Sequence, residues 1–384
     1  MVDSLYVHTP FCSRRCNYCD FAVKVGSSYD SDLWIRAIGG ELKALQKERI
    51  FTLSSSLKTL YIGGGTPSLL SKESMGRLAG VLGPERLKGT NLEWTCEANP
   101  ESFDREKASA WIRAGVNRLS LGVQTFQESA LRWMGRLHGA ERSAEAVKIA
   151  RKAGFSNISV DIIFGLPPSL QRNLKKDLEV LNSLEADHVS LYGLTVESGT
   201  PLARAVSNGQ QDVISDTQYE EEYLFAVEWL ESSGYQGYEV SNFARPGKES
   251  LHNANYWSGK PYLGLGNGAH SYLHPIRRWN VREWESYSTK ALVERLPIES
   301  QEELTDEEHN LEYLWLCLRT TRGLKIDDFS PSIRSRFDSW IKKNLAVERE
   351  GDICLTPEGW LIMDLLTLEL MEHMSGSTSE NENH

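Results

Sequence analysis

The apolar positions in the first half of the chain alternate between two periods. Short runs rich in Val, Ile, Leu, Thr and Tyr predict strands at 5–8, 59–62, 92–96, 118–121, 158–163 and 189–194. Between them the period lengthens to that of a helix. Leu33, Trp34, Ile38, Leu42 and Leu45 form one apolar stripe. Helices are predicted over 33–45, 71–82, 104–114, 144–153 and 174–184, with Ser71 as the N-cap of the second. Repeated strand–helix alternation builds a parallel sheet with helices outside it. The expected fold class is therefore α/β, a barrel or partial barrel whose strands' C-terminal loops form the site.

After residue 235 the pattern breaks. Residues 1–235 read as the barrel and 236–299 as a connecting region, opening on a strand of a different kind at 234–240 and rich in Gly and aromatic loops. Residues 300–374 read as a separate, mostly helical module with a helix around 309–318 and a turn–strand piece at 346–355. Thr356, Pro357, Glu358 and Gly359 introduce its last helix, with Pro357 suited to the first turn. Residues 375–384 are polar and predicted to be disordered.

Composition narrows the class of function. The 384 residues are 40% hydrophobic and 25% charged, as in ordinary globular proteins, and the length suits one large domain with a smaller one. A net charge of −11 argues against nucleic acid or an anionic membrane as partner, since both reward a basic surface. No apolar run approaches the ~20 residues that cross a bilayer. The first eight residues lack a basic head followed by a long apolar run, so a cytoplasmic protein is expected, or an organellar one whose transit peptide has been removed.

Cysteine usage points to metal chemistry. Cys12, Cys16 and Cys19 crowd one loop after the first strand, while Cys96, Cys317 and Cys354 are scattered and read as buried core. Clustering of this kind belongs to metal binding in a reducing compartment rather than to a disulfide scaffold. Three thiolates can hold three corners of a [4Fe–4S] cubane and leave the fourth iron without a protein ligand. The alternative is zinc, with His8 as fourth ligand, although structural zinc loops more often bring paired Cys-x-x-Cys units.

Other strand ends carry polar groups toward the same rim. The second strand runs into Gly63, Gly64 and Gly65, the third ends at Glu97, the fourth reaches Gln124, and the fifth carries Asp161. Arg136 lies on the connection between the fourth and fifth. Glycines at a strand end let backbone approach a ligand closely. Such a rim suits S-adenosylmethionine (SAM). Arg136 can pair with its carboxylate, Glu97 and the Gly64–Gly65 backbone can receive its ammonium group, and Gln124 and Asp161 can hold its ribose hydroxyls.

Taken together, Tyr6 to Cys12, Gly63 to Pro67, Glu97 to Pro100, Leu121 to Gln124 and Asp161 to Pro167 resemble the radical SAM family of coproporphyrinogen dehydrogenases and their haem-chaperone relatives. The likeness runs from residue 5 to about residue 370. It implies a partial (β/α)6 TIM-like barrel with a smaller, mostly helical C-terminal domain. It also implies SAM contacts for Tyr6, Tyr18, Gly64, Gly65, Thr66, Glu97, Gln124, Arg136 and Asp161. The dehydrogenase branch has a fourth cysteine two places after the third and a substantial segment before the motif. Here Phe21 stands in that cysteine's place and five residues precede Tyr6, as in the haem-chaperone branch.

That branch carries a His-Asn-x-x-Tyr-Trp motif, present as His252, Asn253, Tyr256 and Trp257. A His beside Tyr and Trp can offer an axial nitrogen and flat apolar walls to a porphyrin. Equally, it can be a loop whose aromatics pack on the barrel. With the resemblance, haem contact is expected, His252 being the leading ligand and His270, on a loop expected nearer the SAM pocket, its competitor. The cofactors implied are a [4Fe–4S] cluster, SAM and haem; the partners are a haem-acceptor protein and an electron donor for the cluster. The alternative activity is oxygen-independent coproporphyrinogen III oxidation through a 5′-deoxyadenosyl radical.

Overall fold

A computed structural model describes residues 1–380. Strand β1 (Ser4–Thr9) leads into the cysteine loop, which a short parallel pair, β2 (Phe11–Cys12) and β3 (Lys24–Val25), fastens at its base. Then follow β4 (Thr59–Gly64), β5 (Glu93–Ala98), β6 (Arg118–Gln124), β7 (Ile158–Phe164) and β8 (His188–Gly193). With β1 they lie side by side in chain order, each parallel to its neighbour. All six expected strands are present. Five of them extend past their apolar cores into the glycines and polar residues that make the rim.

Helices α1 (Ser31–Lys47), α2 (Ser74–Leu82), α3 (Arg105–Ala114), α4 (Glu128–Met134), α5 (Ala140–Ala153) and α6 (Leu174–Ser183) connect these strands. Helix α1 buries Trp34, Ile38, Leu42 and Leu45, the stripe visible in its periodicity, and Asp30 caps it by accepting from Leu33 N at 2.8 Å. Ser71 does not cap α2. Its hydroxyl bonds to Ser74 Oγ at 2.9 Å and its backbone N–H donates to Ser31 Oγ at 2.9 Å, so residues 71–73 form a turn tied to α1 and the helix begins at Ser74. The short α4 carried no signal of its own, yet it matters: Gly135 ends it at φ 79° and turns Arg136 toward the rim.

The break after residue 235 marks a change of strand direction, not the end of the sheet. Following α7 (Pro201–Ser207) and α8 (Asp216–Ser232), β9 (Gln236–Glu239) and β10 (Asn242–Ala244) add antiparallel strands beside β8. After α9 (Leu251–Trp257), β11 (Leu263–Leu265) pairs parallel to β1 on the opposite edge. The connecting region thus supplies three of the nine strands: β9, within the strand expected at 234–240, and β10 and β11, each too short to show a period. A separate antiparallel sheet follows, formed by β12 (His270–Leu273), β13 (Ile276–Asn280) and β14 (Ile298–Glu303), with α10 (Trp284–Leu292) between the last two.

The C-terminal part contains α11 (Asp306–Leu318), β15 (Leu324–Lys325), α12 (Pro331–Lys342), β16 (Ala346–Arg349), β17 (Asp352–Leu355), α13 (Pro357–Leu361) and α14 (Met363–Glu380). Residues 375–380, read as disordered, continue α14, since adding a turn to a formed helix costs little compared with starting one. Residues 381–384 lie outside the described part. Cys96, Cys317 and Cys354 are buried, as expected of core. Among the described residues no helix is long and apolar enough to cross a membrane.

Candidate functional site

The cysteine loop is shaped by backbone bonds at its base. Lys24 N–H donates to Pro10 O at 2.7 Å and Gly26 N–H to Cys12 O at 3.1 Å, so the intervening residues arch over the strand ends. Cys12, Cys16 and Cys19 are free thiols, half-buried, and all three face one cavity of about 570 Å³. They do not converge on a point: among the described residues no three His, Cys, Asp or Glu side chains gather as the shell of a single ion. Thiols spread around a cavity fit separate corners of a cubane better than one tetrahedral ion.

His8, the fourth ligand a zinc site would recruit, is already committed. Its Nε2–H donates to Ala22 O at 3.0 Å and its Nδ1 lies 2.9 Å from the Tyr6 hydroxyl. Burial lowers its pKa to about 4, so it stays neutral. The same burial effect pushes the Cys12 thiol up to about 11 and Cys19 upward as well. Thiols in this state ionise readily only beside positive charge, which a metal cluster supplies. Thr66 Oγ1 lies 3.6 Å from Cys12 Sγ, and Arg136 Nη1 lies 3.8 Å from Cys16 Sγ.

The strand ends complete the cavity. Gly64 has φ 104°, and a Cβ there would fall 2.3 Å from the His8 ring; at Gly65 it would fall 2.6 Å from Phe11 O. Only glycine leaves this backbone open to a ligand. Glu97 Oε2 accepts from Gly64 N–H at 3.1 Å and its Oε1 accepts from the Tyr61 hydroxyl at 2.8 Å. Burial first, and then the nearby Asp161 charge, raise Glu97 to about 7. Asp161 accepts from Ser120 Oγ at 3.1 Å and is raised by burial to about 6. A β-bulge between Gly122 and Gln124, with Gln124 at φ 71°, aims that side chain at the same space.

Arg136 donates through Nη2 to Asn99 Oδ1 at 2.7 Å and to Gly122 O. Its Nε is buried with no acceptor, an unspent donor at the cavity wall. Two buried carboxyls that resist ionising, a guanidinium with a donor to spare and an open glycine backbone fit a zwitterionic, positively charged ligand such as SAM. Tyr18 and Thr66 line this cavity too. Tyr6 lines a neighbouring cavity that meets this one at Gly64 and Glu97.

That second cavity, about 540 Å³, shares Gly64, Glu97, Asp20 and Phe21 with the first. Its walls are largely aromatic. Tyr256 and Trp257 come from the end of α9, Tyr262 from the following loop, Tyr272 from β12 and Trp315 from α11. His270 also opens onto it rather than onto the thiol-lined cavity.

His252 is not an open ligand. It is 1% exposed, with Nδ1 at 2.8 Å from Thr59 Oγ1 and Nε2 at 2.9 Å from the Tyr256 hydroxyl. Its ring stacks on Tyr61 at 5.1 Å, and burial lowers its pKa to about 3. Glu93 accepts from the backbone N–H of Leu251 at 2.9 Å and of His252 at 3.0 Å, anchoring the start of α9. The expectation of His252 as iron ligand is therefore corrected. One helical turn separates it from Tyr256, so the two bond along one face and lock the helix.

Several site residues carried no functional reading in the sequence. Asn99 bridges Arg136 and Thr66, donating to Thr66 Oγ1 at 3.2 Å. Its signal was the period of two from Glu97, which places both on one side of the chain. His138, ungrouped in the sequence, bonds Glu101 Oε2 at 2.9 Å and Val123 O at 3.3 Å. No local pattern announces that contact.

Residues 6–181 match the Radical SAM superfamily. The chain is 36% identical to the heme chaperone HemW of Bacillus subtilis, over 94% of its own length and 96% of that protein's. With HemW of Escherichia coli it shares 32% identity, covering 96% and 98%. It is 38% identical to the mitochondrial radical S-adenosyl methionine domain-containing protein 1 of Danio rerio over 71% of this chain and 61% of that one. Among solved structures, coproporphyrinogen III oxidase (HemN) from Escherichia coli, a radical SAM enzyme, superposes with a TM-score of 0.77 at 21% identity, covering 96% and 90% of the two chains. That likeness concerns the fold.

Proposed function

The chain belongs to the HemW family of radical SAM proteins, and from that premise we propose that it is a haem chaperone. It holds a [4Fe–4S] cluster and SAM in the thiol-lined cavity, takes up haem beside them and passes it to an acceptor protein. The observation that carries this reading is the pair of cavities divided by Gly64 and Glu97, one bearing three free thiols and the other walled by aromatic rings.

Cys12, Cys16 and Cys19 are the cluster's ligands in this proposal. Arg136 receives the SAM carboxylate, Glu97 with the Gly64 and Gly65 backbone its amino group, and Gln124 and Asp161 its ribose. Tyr18 and Thr66 wall the adjoining space. A bound cluster supplies one-electron chemistry and an iron without a protein ligand. The electron donor reaches it past Arg14 and Arg15, which stand exposed at the mouth of the cavity. The compartment proposed is the cytoplasm, or an organelle reached with a transit peptide.

Phe21 weighs against the oxidase alternative. It stands where the dehydrogenase branch has its fourth cysteine, is 60% exposed, and lines both cavities. The test is anaerobic reconstitution followed by iron, SAM and haem titrations and by transfer of haem to a haem-free acceptor. One cluster and one haem per chain, with transfer, are expected. SAM consumption coupled to coproporphyrinogen conversion would replace the chaperone reading with the oxidase one. One zinc and no brown chromophore would overturn both.

A further inference from the structure

Both ring nitrogens of His252 are spent inside the sheet, so a haem that uses a histidine of this chain must find it elsewhere. His270 meets the requirement. It stands at the start of β12 on the wall of the aromatic cavity, and among the described residues neither of its ring nitrogens has a hydrogen-bond partner. Its ring is nonetheless held in place, stacked on Trp279 at 5.7 Å with the planes 24° apart. An exposed imidazole fixed by one aromatic face and bonded to nothing is preorganised to bind a metal edge-on.

The walls match the rest of a haem. Trp257, Tyr256, Tyr262 and Trp315 offer flat apolar surface, and the buried Trp257 Nε1–H has no acceptor. Of the cavity's cations, Arg277 is committed to Glu302 and Glu312, and Arg282 to Asp20. Lys260 is exposed at the rim and, among the described residues, has no carboxylate partner. It is therefore the cation left for a ligand's acid group.

We propose that the aromatic cavity seats the haem, with His270 as an axial ligand to the iron and Lys260 pairing with a propionate. This rests on the chaperone reading and gives it a site. The Tyr256 and Trp257 end of α9 forms one wall, while His252 holds that wall in place from behind. Burial, with Arg277 and Arg282 nearby, lowers the His270 pKa, so the imidazole is neutral at physiological pH, the form that binds iron.

The test is an anaerobic titration of ferric haem into the reconstituted full chain, read by absorbance and electron paramagnetic resonance. Wild type should saturate near one haem per chain with a nitrogen-ligated spectrum. His270→Ala should bind at least tenfold more weakly with that signature lost, and added imidazole should restore the spectrum. Lys260→Glu should weaken binding severalfold without altering the spectrum. His252→Gln should keep the wild-type spectrum. Unchanged affinity and spectrum in His270→Ala would overturn this seat while leaving the chaperone reading in place, as would loss of the signature in His252→Gln alone. No saturable binding by wild type would overturn the chaperone reading and this inference together.

Discussion

The Tyr61 hydroxyl donates to Glu97 Oε1 at 2.8 Å, while the Tyr61 ring lies stacked against His252 at 5.1 Å. Through this one tyrosine the buried histidine of α9 is joined to a carboxyl that faces both cavities. The His-Asn-x-x-Tyr-Trp segment thus acts on the site from within the sheet, by holding Tyr61 and Tyr256 in position.

Glu97 should make SAM binding depend on pH. Burial raises its pKa to about 7 in the unliganded chain, and a positively charged ligand favours the ionised form. Below about pH 7 binding must first expel a proton. SAM affinity in cluster-loaded protein is therefore expected to fall with decreasing pH below about 7 and to level off above it. Glu97→Gln should bind SAM about tenfold more weakly at pH 8 and lose most of that dependence, leaving the smaller contribution of Asp161. Calorimetric titration at several pH values measures both; an unchanged profile would remove Glu97 from the ligand's contacts.

Arg136 combines charge with a fork that lysine cannot reproduce. Its Nη2 is spent on Asn99 and Gly122 and its Nη1 faces Cys16 Sγ, while the buried Nε has no acceptor. Arg136→Lys is expected to retain iron at the wild-type level and to bind SAM at least tenfold more weakly. Iron loss in step with SAM loss would instead make the residue a support of the cysteine loop, to which its contact with Cys16 also ties it.

The cysteines divide by location. Cys16→Ala should abolish the cluster's visible absorption, because two thiols cannot hold a cubane with one open iron. Cys96→Ala should keep it. Cys96 is fully buried with Sγ 3.9 Å from Met75 Sδ, so its loss opens a small void and costs about 1–2 kcal/mol of stability. Iron analysis and thermal melting separate the two effects, and iron loss in Cys96→Ala would contradict the assignment.

What could be read before the structure follows the range of each signal. The six parallel strands and the cysteine loop are local patterns, and all appear where expected. Strand β9 falls inside the strand expected at 234–240, whereas β10 and β11 are three residues long, below the window in which a period shows, so their pairing in the sheet carries no local signal. His252 and Tyr256 stand out as a pair in the sequence, but their mutual bond depends on α9 being a helix, and its Gly- and aromatic-rich surroundings read as loop. The link from Glu101 to His138 crosses 37 positions and depends wholly on the tertiary fold. Where polar groups end up facing, not which groups they are, was the hidden part.

Glu41 offers a test of how the haem-side wall is held. It is 1% exposed on α1, and its Oε2 accepts from Gly266 N–H at 2.9 Å and from the Tyr287 hydroxyl at 2.6 Å. Its Oε1 accepts from Asn280 Nδ2 at 2.5 Å. One carboxyl therefore pins the loop before His270, strand β13 and helix α10 to α1. Burial raises its pKa to about 7 despite the three hydrogen bonds, which favour the ionised form. Because the folded pKa lies above the unfolded one, the native state carries an extra proton between the two values. Its contribution is present in full below the unfolded pKa and is lost as pH rises through about 7, on the order of 3 kcal/mol for a shift of this size. Glu41→Gln keeps a neutral side chain of the same shape and should abolish that loss. Melting temperatures from pH 5 to pH 8 are expected to fall further in wild type than in the variant, with the curves diverging between about pH 5 and pH 7 and running parallel above that. Parallel curves would mean that Glu41 keeps one charge state in both folded and unfolded chains, and that its three donors outweigh the cost of burying the charge.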